Sequence, residues 1–362
     1  MSENVLKYQE LIKYLDNLIE TGELKAGDKL PSENRLTDMF SVSRQTVRHA
    51  IGILEEEGKV DRMRGSGTYV RDSCTSNLKK RNRIAVVTTY VDSYIFPKTI
   101  QGIEEVLFEK GYSVQLAFTN NTVERERIVL EDIYNREDVA GVIVEGTKSG
   151  LPNPNIGLYK KLQEKKIPII FINTFYPEIA APHVALNDVE AAKMAVNYLL
   201  AKGHTQIGTI MKLDDGQGRL RYLGYVQALG DAGLPVSDSK IMWIDTDDFK
   251  QLSLCMDKIM ARAANCTALL CYNDQVAFRL INLLKERNVR VPEDLSVISI
   301  DDSDLARMCE VPVTSLPHPK EKLGAKAAEN LIQMIQNHKY DGTFEFTTRV
   351  VERETVSDIN EN

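Results

Sequence analysis

The chain has 362 residues, a net charge of −7 and 43% hydrophobic residues, enough for two or three globular units with full cores. No apolar run is long enough to make a membrane-spanning helix, which excludes that class. The five cysteines, Cys74, Cys255, Cys266, Cys271 and Cys309, form no CxxC pair and the five histidines no HxxxH spacing, which argues against a disulfide framework or a structural metal and fits a reducing cytoplasm.

The first segment, MSENVLKYQELIKYLDNLIE, predicts an amphipathic, charged helix that is neither a secretory signal nor a membrane span. A second helix is expected to start at Pro31-Ser32-Glu33, where Ser32 caps free N–H groups and Glu33 favours the positive end of the helix dipole. Its apolar positions Leu36, Met39 and Phe40 fall on one face, and it ends near Ser41-Val42-Ser43, where another hydroxyl caps the next helix. In that third helix Val47, Ala50, Ile51 and Leu54 form the buried stripe, while Arg44, Gln45 and Arg48 project from another face near its N-terminus. Arginine reads guanine edges or grips phosphate and glutamine reads adenine, so this face suits a DNA major groove; Glu55-Glu56-Glu57 would be repelled and should point away.

Gly58 stops the helix, and residues 59–70 read as two strands around a Gly65-Ser66-Gly67 tip flanked by Arg62 and Arg64, a basic wing able to lie against phosphates or a minor groove. The order of caps, apolar stripe, basic face and wing predicts a winged helix-turn-helix domain over residues 1–72. This segment holds slightly more acidic than basic residues, so its DNA affinity has to come from local charge placement. Residues 73–82 lack periodicity and read as a solvated linker whose Lys79-Lys80-Arg81 cluster is able to touch phosphate.

From Arg83 the pattern becomes β-branched runs alternating with helical stretches. Strands are expected at 84–87, 113–118, 142–144, 167–172, 207–210, 268–271 and 295–300, with crossover helices such as 97–110, 189–202, 219–232 and 274–287. Such alternation implies parallel sheets covered on both faces, here two doubly wound α/β lobes over residues 83–362.

Open α/β sheets bind ligands beyond the carboxyl ends of their strands. Tyr90, Tyr94 and Phe96 follow the first strand of this region, Glu145 and Lys148 the third, Asn173 the fourth, Asn273 and Asp274 the run Leu-Leu-Cys-Tyr, and Asp301-Asp302 the run Val-Ile-Ser-Ile. Arg221 is expected to begin a helix after the Gly216-Gln-Gly loop, and His318 to sit in a hinge loop between two prolines. Carboxylates, amides and a guanidinium each pair with two neighbouring sugar hydroxyls, and aromatic faces cover the C–H surface. Asn273, Asp301 and Asp302 are equally good helix caps, and Tyr90, Tyr94 and Phe96 equally good core residues.

Two resemblances join these readings. Leu30-Pro-Ser-Glu33, Ser43-Arg-Gln-Thr-Val-Arg-His-Ala-Ile51 and Gly65-Ser-Gly-Thr68 resemble the GntR family of bacterial regulators over residues 4–72. That resemblance implies that Glu33, Arg44, Gln45, Thr46, Arg48, Arg64, Gly65 and Gly67 sit at the DNA surface, with Lys7 and Tyr8 near phosphate. From Arg83 to Arg353, Gly102-Ile-Glu104, Leu200-Ala-Lys-Gly-His204, Arg219 to Tyr225, Cys271-Tyr-Asn-Asp274, Val291 to Ile298 and Asp301-Asp302 resemble the LacI/GalR regulators and the periplasmic sugar-binding proteins. This implies a periplasmic-binding-protein-like module in which Arg221, Asn273 and Asp301, and more variably Phe96, Glu145, Asn173 and His318, contact an effector. The helix-turn-helix usually joined to that module is replaced by the GntR-like head.

The whole arrangement, including Thr88-Thr-Tyr90, Tyr94-Ile-Phe-Pro97, Val144 to Ser149 and Pro317-His-Pro-Lys320, is similar to the arabinose-responsive repressors of Firmicutes-type bacteria. It implies double-stranded operator DNA, L-arabinose and a second copy of the chain as partners, with no cofactor or metal. A sugar-transport component would suit the two-lobed module alone, but the fused head and the absence of a signal sequence count against it. An enzyme is disfavoured because no pyridoxal lysine, phosphate-cradling loop or nucleophile–base pair is visible.

Overall fold

The computed structural model of the chain describes residues 2–56, 58–63, 66–71, 81–91 and 94–360, without the side chains of residues 2–7, 20 and 56. Arg64, Gly65, the Lys7 side chain and linker positions 73–80 lie outside this set. The chain divides into two compact units, Met1–Asn82 and Arg83–Asn362.

The first unit has helices α1 (Ser2–Glu20), α2 (Glu33–Phe40) and α3 (Arg44–Glu56), followed by strands β1 (Val60–Met63) and β2 (Gly67–Val70). Ser32 caps α2 by accepting from the Arg35 N–H, and Ser43 caps α3 by accepting from the Thr46 N–H at 3.1 Å. Ser41 takes the left-handed conformation that ends α2. The two strands pair antiparallel, Val60 opposite Val70 and Met63 opposite Gly67. Leu11 and Leu15 of α1 close a core with Leu36, Val47, Ala50, Ile51, Leu54, Val60 and Val70. Met39 departs from the expected stripe and is exposed. Leu36 fills that face, and Phe40 packs sideways on Tyr14 with ring centroids 5.2 Å apart.

The second unit holds two parallel sheets. Strands β3 (Arg83–Thr88), β4 (Ser113–Phe118), β5 (Val139–Val144), β6 (Ile169–Ile172), β7 (His183–Leu186) and β13 (Phe344–Phe346) form the first lobe in the order β13-β7-β6-β5-β3-β4. Strands β8 (Ile207–Lys212), β9 (Ile241–Ile244), β10 (Ala268–Cys271), β11 (Ser296–Asp301) and β12 (Thr314–Pro317) form the second in the order β12-β11-β10-β8-β9. Both are covered on their two faces, as the alternating pattern predicts.

The chain crosses between lobes after β7, after β12 and after β13, and returns to place the Thr355 carbonyl against the Val297 N–H of the second sheet. Glycines set the closest helix approaches. A β-carbon on Gly102 of helix Phe96–Glu109 would overlap the backbone carbonyl of Glu321, and one on Gly224 would overlap that of Val189.

Four strands escape the sequence reading: β7, β9, β12 and β13. Each has three or four residues, too short for a clear period, and β13 pairs only as an edge. Gly216-Gln-Gly is no loop either. It is the first turn of helix Gly216–Asp231, capped by Asp215, which accepts from the Gln217 N–H. Arg221 therefore lies in the second turn of that helix rather than at its start.

Candidate functional site

The head presents one compact face. Arg44, Gln45 and Arg48 are exposed at the start of α3, between the buried positions Val42, Val47 and Ala50. Glu33 of α2 reaches back to hold Arg48, with Nε at 2.9 Å from Oε2. Such a half-exposed ion pair adds roughly 0–1 kcal/mol to stability, so its consequence is the aim of the guanidinium. Thr46 spends its hydroxyl on the Ser43 cap at 2.9 Å. Arg62 does not extend from the wing; it turns onto α3, donating to the Arg48 carbonyl at 2.7 Å and facing Glu55 at 3.4 Å. Gly67 opens β2 with φ +126, beside the Lys29 side chain.

In the second unit the carboxyl ends of both sheets converge on a cavity of about 260 Å³ between the lobes, slightly below the roughly 300–1,000 Å³ of drug-sized sites. Seven of the predicted residues line it: Tyr90, Tyr94, Phe96, Glu145, Lys148, Asn273 and Asp301. Asn173, Arg221 and His318 do not. They stand behind the wall.

Glu145 is buried and accepts from the Thr89 N–H at 3.0 Å, from the Thr89 hydroxyl and from Asn173 Nδ2 at 2.9 Å. Burial pushes its carboxyl upward, and these hydrogen bonds pull partly the other way. Arg221, 1% exposed, donates to Asp188 Oδ1 at 2.7 Å, to the Tyr272 carbonyl and to Asp301 Oδ1 at 3.2 Å. Its guanidinium also lies 4.9 Å from the Tyr272 ring centroid. Arg221 thus fixes Asp301 at the end of β11. Asn273 caps helix Asp274–Glu286, accepting from the Val276 N–H at 3.1 Å, and lines the cavity as well, so its cap and lining roles coexist. Tyr94, Lys148, Asn173, Asp301 and Asp302 all have positive φ. Such outliers gather where surrounding structure holds a functional geometry.

His318 is 3% exposed and neither ring nitrogen has a hydrogen-bond partner. Burial pulls its pKa down to about 4 against an ordinary 6.5, with the Asp301 carboxylate opposing and Arg221 and Lys320 reinforcing. The folded state therefore binds fewer protons than the unfolded one, so stability present above pH 6.5 is lost as pH falls towards 4. His318→Gln should flatten that part of the curve. Thermal unfolding at pH 7, 6 and 5 checks this, and an unchanged slope would contradict it.

The sequence reading misses Asp214, Asp215, Thr246 and Asn121, all of which line the cavity. Asp214 Oδ2 accepts from the Thr246 N–H and hydroxyl, and Asp215 accepts from the Tyr272 hydroxyl. The two aspartates follow β8, so the carboxyl-end rule could have found them. Thr246 follows β9, which has no legible strand signal. Asn121 Nδ2 donates across the cleft to Thr246 Oγ1 at 2.7 Å, and the Gly216 N–H to Ser149 Oγ at 3.0 Å. Among the described residues no group of three or more His, Cys, Asp or Glu side chains is placed to hold a metal, and no helix is long and apolar enough to cross a membrane.

A family profile described as bacterial regulatory proteins, gntR family, matches residues 7–70, and one described as a periplasmic binding protein-like domain matches residues 196–356. The arabinose metabolism transcriptional repressor of Geobacillus stearothermophilus is 35% identical over 99% of this chain and 100% of its own length. The chain belongs to the family of the arabinose metabolism transcriptional repressors. A second member, from Halalkalibacterium halodurans, is 36% identical over 92% of this chain and 91% of its own. The fold is shared with the transcription regulator CcpA of Lactococcus lactis, at a TM-score of 0.69 and 22% identity over 76% of this chain and 99% of that one. The GntR-type head and the LacI-like module read from the sequence are thereby established, as is the regulatory character of the family.

Proposed function

We propose that the chain represses arabinose-utilisation genes by binding operator DNA, and that L-arabinose, bound between the lobes, releases it. The observation that carries this reading is the cavity itself, where Glu145, Asp214, Asp215, Asn273 and Asp301 from both lobes surround a space of about 260 Å³ beside Tyr90 and Phe96. Fixed acceptors from two lobes, with aromatic surface between them, match a small polyol. Relatives named for arabinose metabolism supply the choice of sugar. Two heads from a cytoplasmic homodimer would meet the two halves of a roughly palindromic operator. No cofactor beyond the sugar enters this scheme. A sugar that prefers the operator-incompetent arrangement by about 3 kcal/mol weakens DNA binding roughly a hundredfold.

Isothermal calorimetry of the full chain against L-arabinose, with D-xylose, D-galactose and D-ribose as controls, tests the effector. Saturable heat with L-arabinose alone is expected; heat with another sugar alone would overturn the choice of effector. For the DNA face, Arg48→Ala is expected to lower operator affinity by about ten- to a hundredfold (about 1–3 kcal/mol), with sugar binding and unfolding midpoint unchanged. Fluorescence anisotropy on the chain's own upstream DNA measures this, and equal affinities would remove Arg48 from the reading face.

A further inference from the structure

Asp301 stands at the cavity wall with both carboxylate oxygens already engaged. Oδ1 accepts from Arg221 Nη2 at 3.2 Å, behind the wall, and Oδ2 accepts from the Tyr94 hydroxyl. The Asp301 carbonyl is engaged as well, by Lys320 Nζ at 2.6 Å. Tyr94 belongs to the loop between β3 and helix Phe96–Glu109 of the first lobe and Asp301 to β11 of the second, so this bond crosses the cleft. Tyr94 makes it from a backbone with φ 65, a conformation disfavoured for any residue with a β-carbon. Other cross-cleft bonds among the described residues, Asn121 to Thr246, Gly216 to Ser149 and Arg219 to the Gly150 carbonyl, involve neither Tyr94 nor the Asp301 carboxylate.

We propose that Tyr94 is an intramolecular competitor for the effector: its hydroxyl holds the cavity-side oxygen of Asp301, and a ligand hydroxyl reaches that oxygen only by displacing it. This rests on the reading of the cleft as a sugar site. The Tyr94 hydroxyl is suited to the role because burial, together with the Asp301 charge, raises its pKa well above the usual range and keeps it a donor. Because the bond spans both lobes, breaking it frees one cross-cleft restraint while the Asn121 and Ser149 bonds persist. Tyr94 therefore sets affinity by opposing the ligand rather than by holding it.

Calorimetry of L-arabinose against the full chain and Tyr94→Phe decides the matter. The variant removes one oxygen and keeps the ring, and its circular dichroism and unfolding midpoint check the fold. Loss of one hydrogen bond to a carboxylate should raise sugar affinity by about tenfold. Weaker or unchanged binding by Tyr94→Phe, with the parent chain binding normally, would overturn the proposal and make Tyr94 a direct contact or a bystander. No heat from either protein with L-arabinose, D-xylose, D-galactose or D-ribose would instead overturn the sugar reading, and this proposal with it.

Discussion

Asp301→Ala is expected to lower L-arabinose affinity by at least about a hundredfold while operator binding stays within about twofold. The carboxylate is the meeting point of the second lobe's buried network, held from behind by Arg221, which Asp188 holds in turn. Removing it deletes a fixed acceptor from the cavity and leaves a buried guanidinium with one carboxylate instead of two. Truncating one member of a buried pair costs about 3–5 kcal/mol when the partner is left alone. Asp188 and the Tyr272 carbonyl still satisfy Arg221, so the loss of stability should fall below that range. Asp301→Asn keeps shape and one acceptor oxygen and should retain part of the affinity. Calorimetry with the sugar and a gel shift with operator DNA separate the two functions. A variant that still binds L-arabinose normally would remove Asp301 from the site.

Gly150→Ala should weaken sugar binding by about ten- to a hundredfold through closure alone, since Gly150 does not line the cavity. A β-carbon there would overlap the Leu213 carbonyl oxygen and lie 2.7 Å from the Asp215 backbone nitrogen. These atoms belong to the backbone leading from β8 into helix Gly216–Asp231, so they cannot rotate away as a side chain would. Relief comes from moving the lobes apart, which separates Glu145 from Asp214 and Asp215 and breaks the Ser149–Gly216 bond. The core of each lobe is untouched, so the unfolding midpoint should change little. Small-angle scattering would show a larger radius of gyration than in the parent chain. Unchanged scattering and unchanged affinity would mean that the contact does not limit closure.

Much of this was legible in the residues. The head is written in local chemistry: Ser32 and Ser43 are caps, Val47, Ala50, Ile51 and Leu54 repeat at helical spacing, and Gly58 ends the run, so its elements follow from short-range rules. Seven of the residues named from the sequence line the cavity because they follow strand ends, where open α/β sheets leave a crevice. What the sequence hides is depth. Nothing local distinguishes Arg221, sealed behind the wall, from a surface arginine, because its partners Asp188 and Asp301 are 33 and 80 positions away. Asp188 and Thr246 follow β7 and β9, strands of four residues whose burial comes from neighbouring strands rather than their own pattern. Tyr94 is read as a ligand contact on sequence grounds, and its bond to Asp301 across the cleft is visible only in three dimensions.

The central claim is that sugar in the cleft and DNA on the head are thermodynamically linked. The direct measurement is operator affinity of the full chain by fluorescence anisotropy, titrated with L-arabinose and in parallel with D-xylose. A fall of roughly a hundredfold at saturating L-arabinose, with little change in D-xylose, is the predicted result. Operator affinity that is unchanged or increased when L-arabinose is bound would contradict derepression by this sugar.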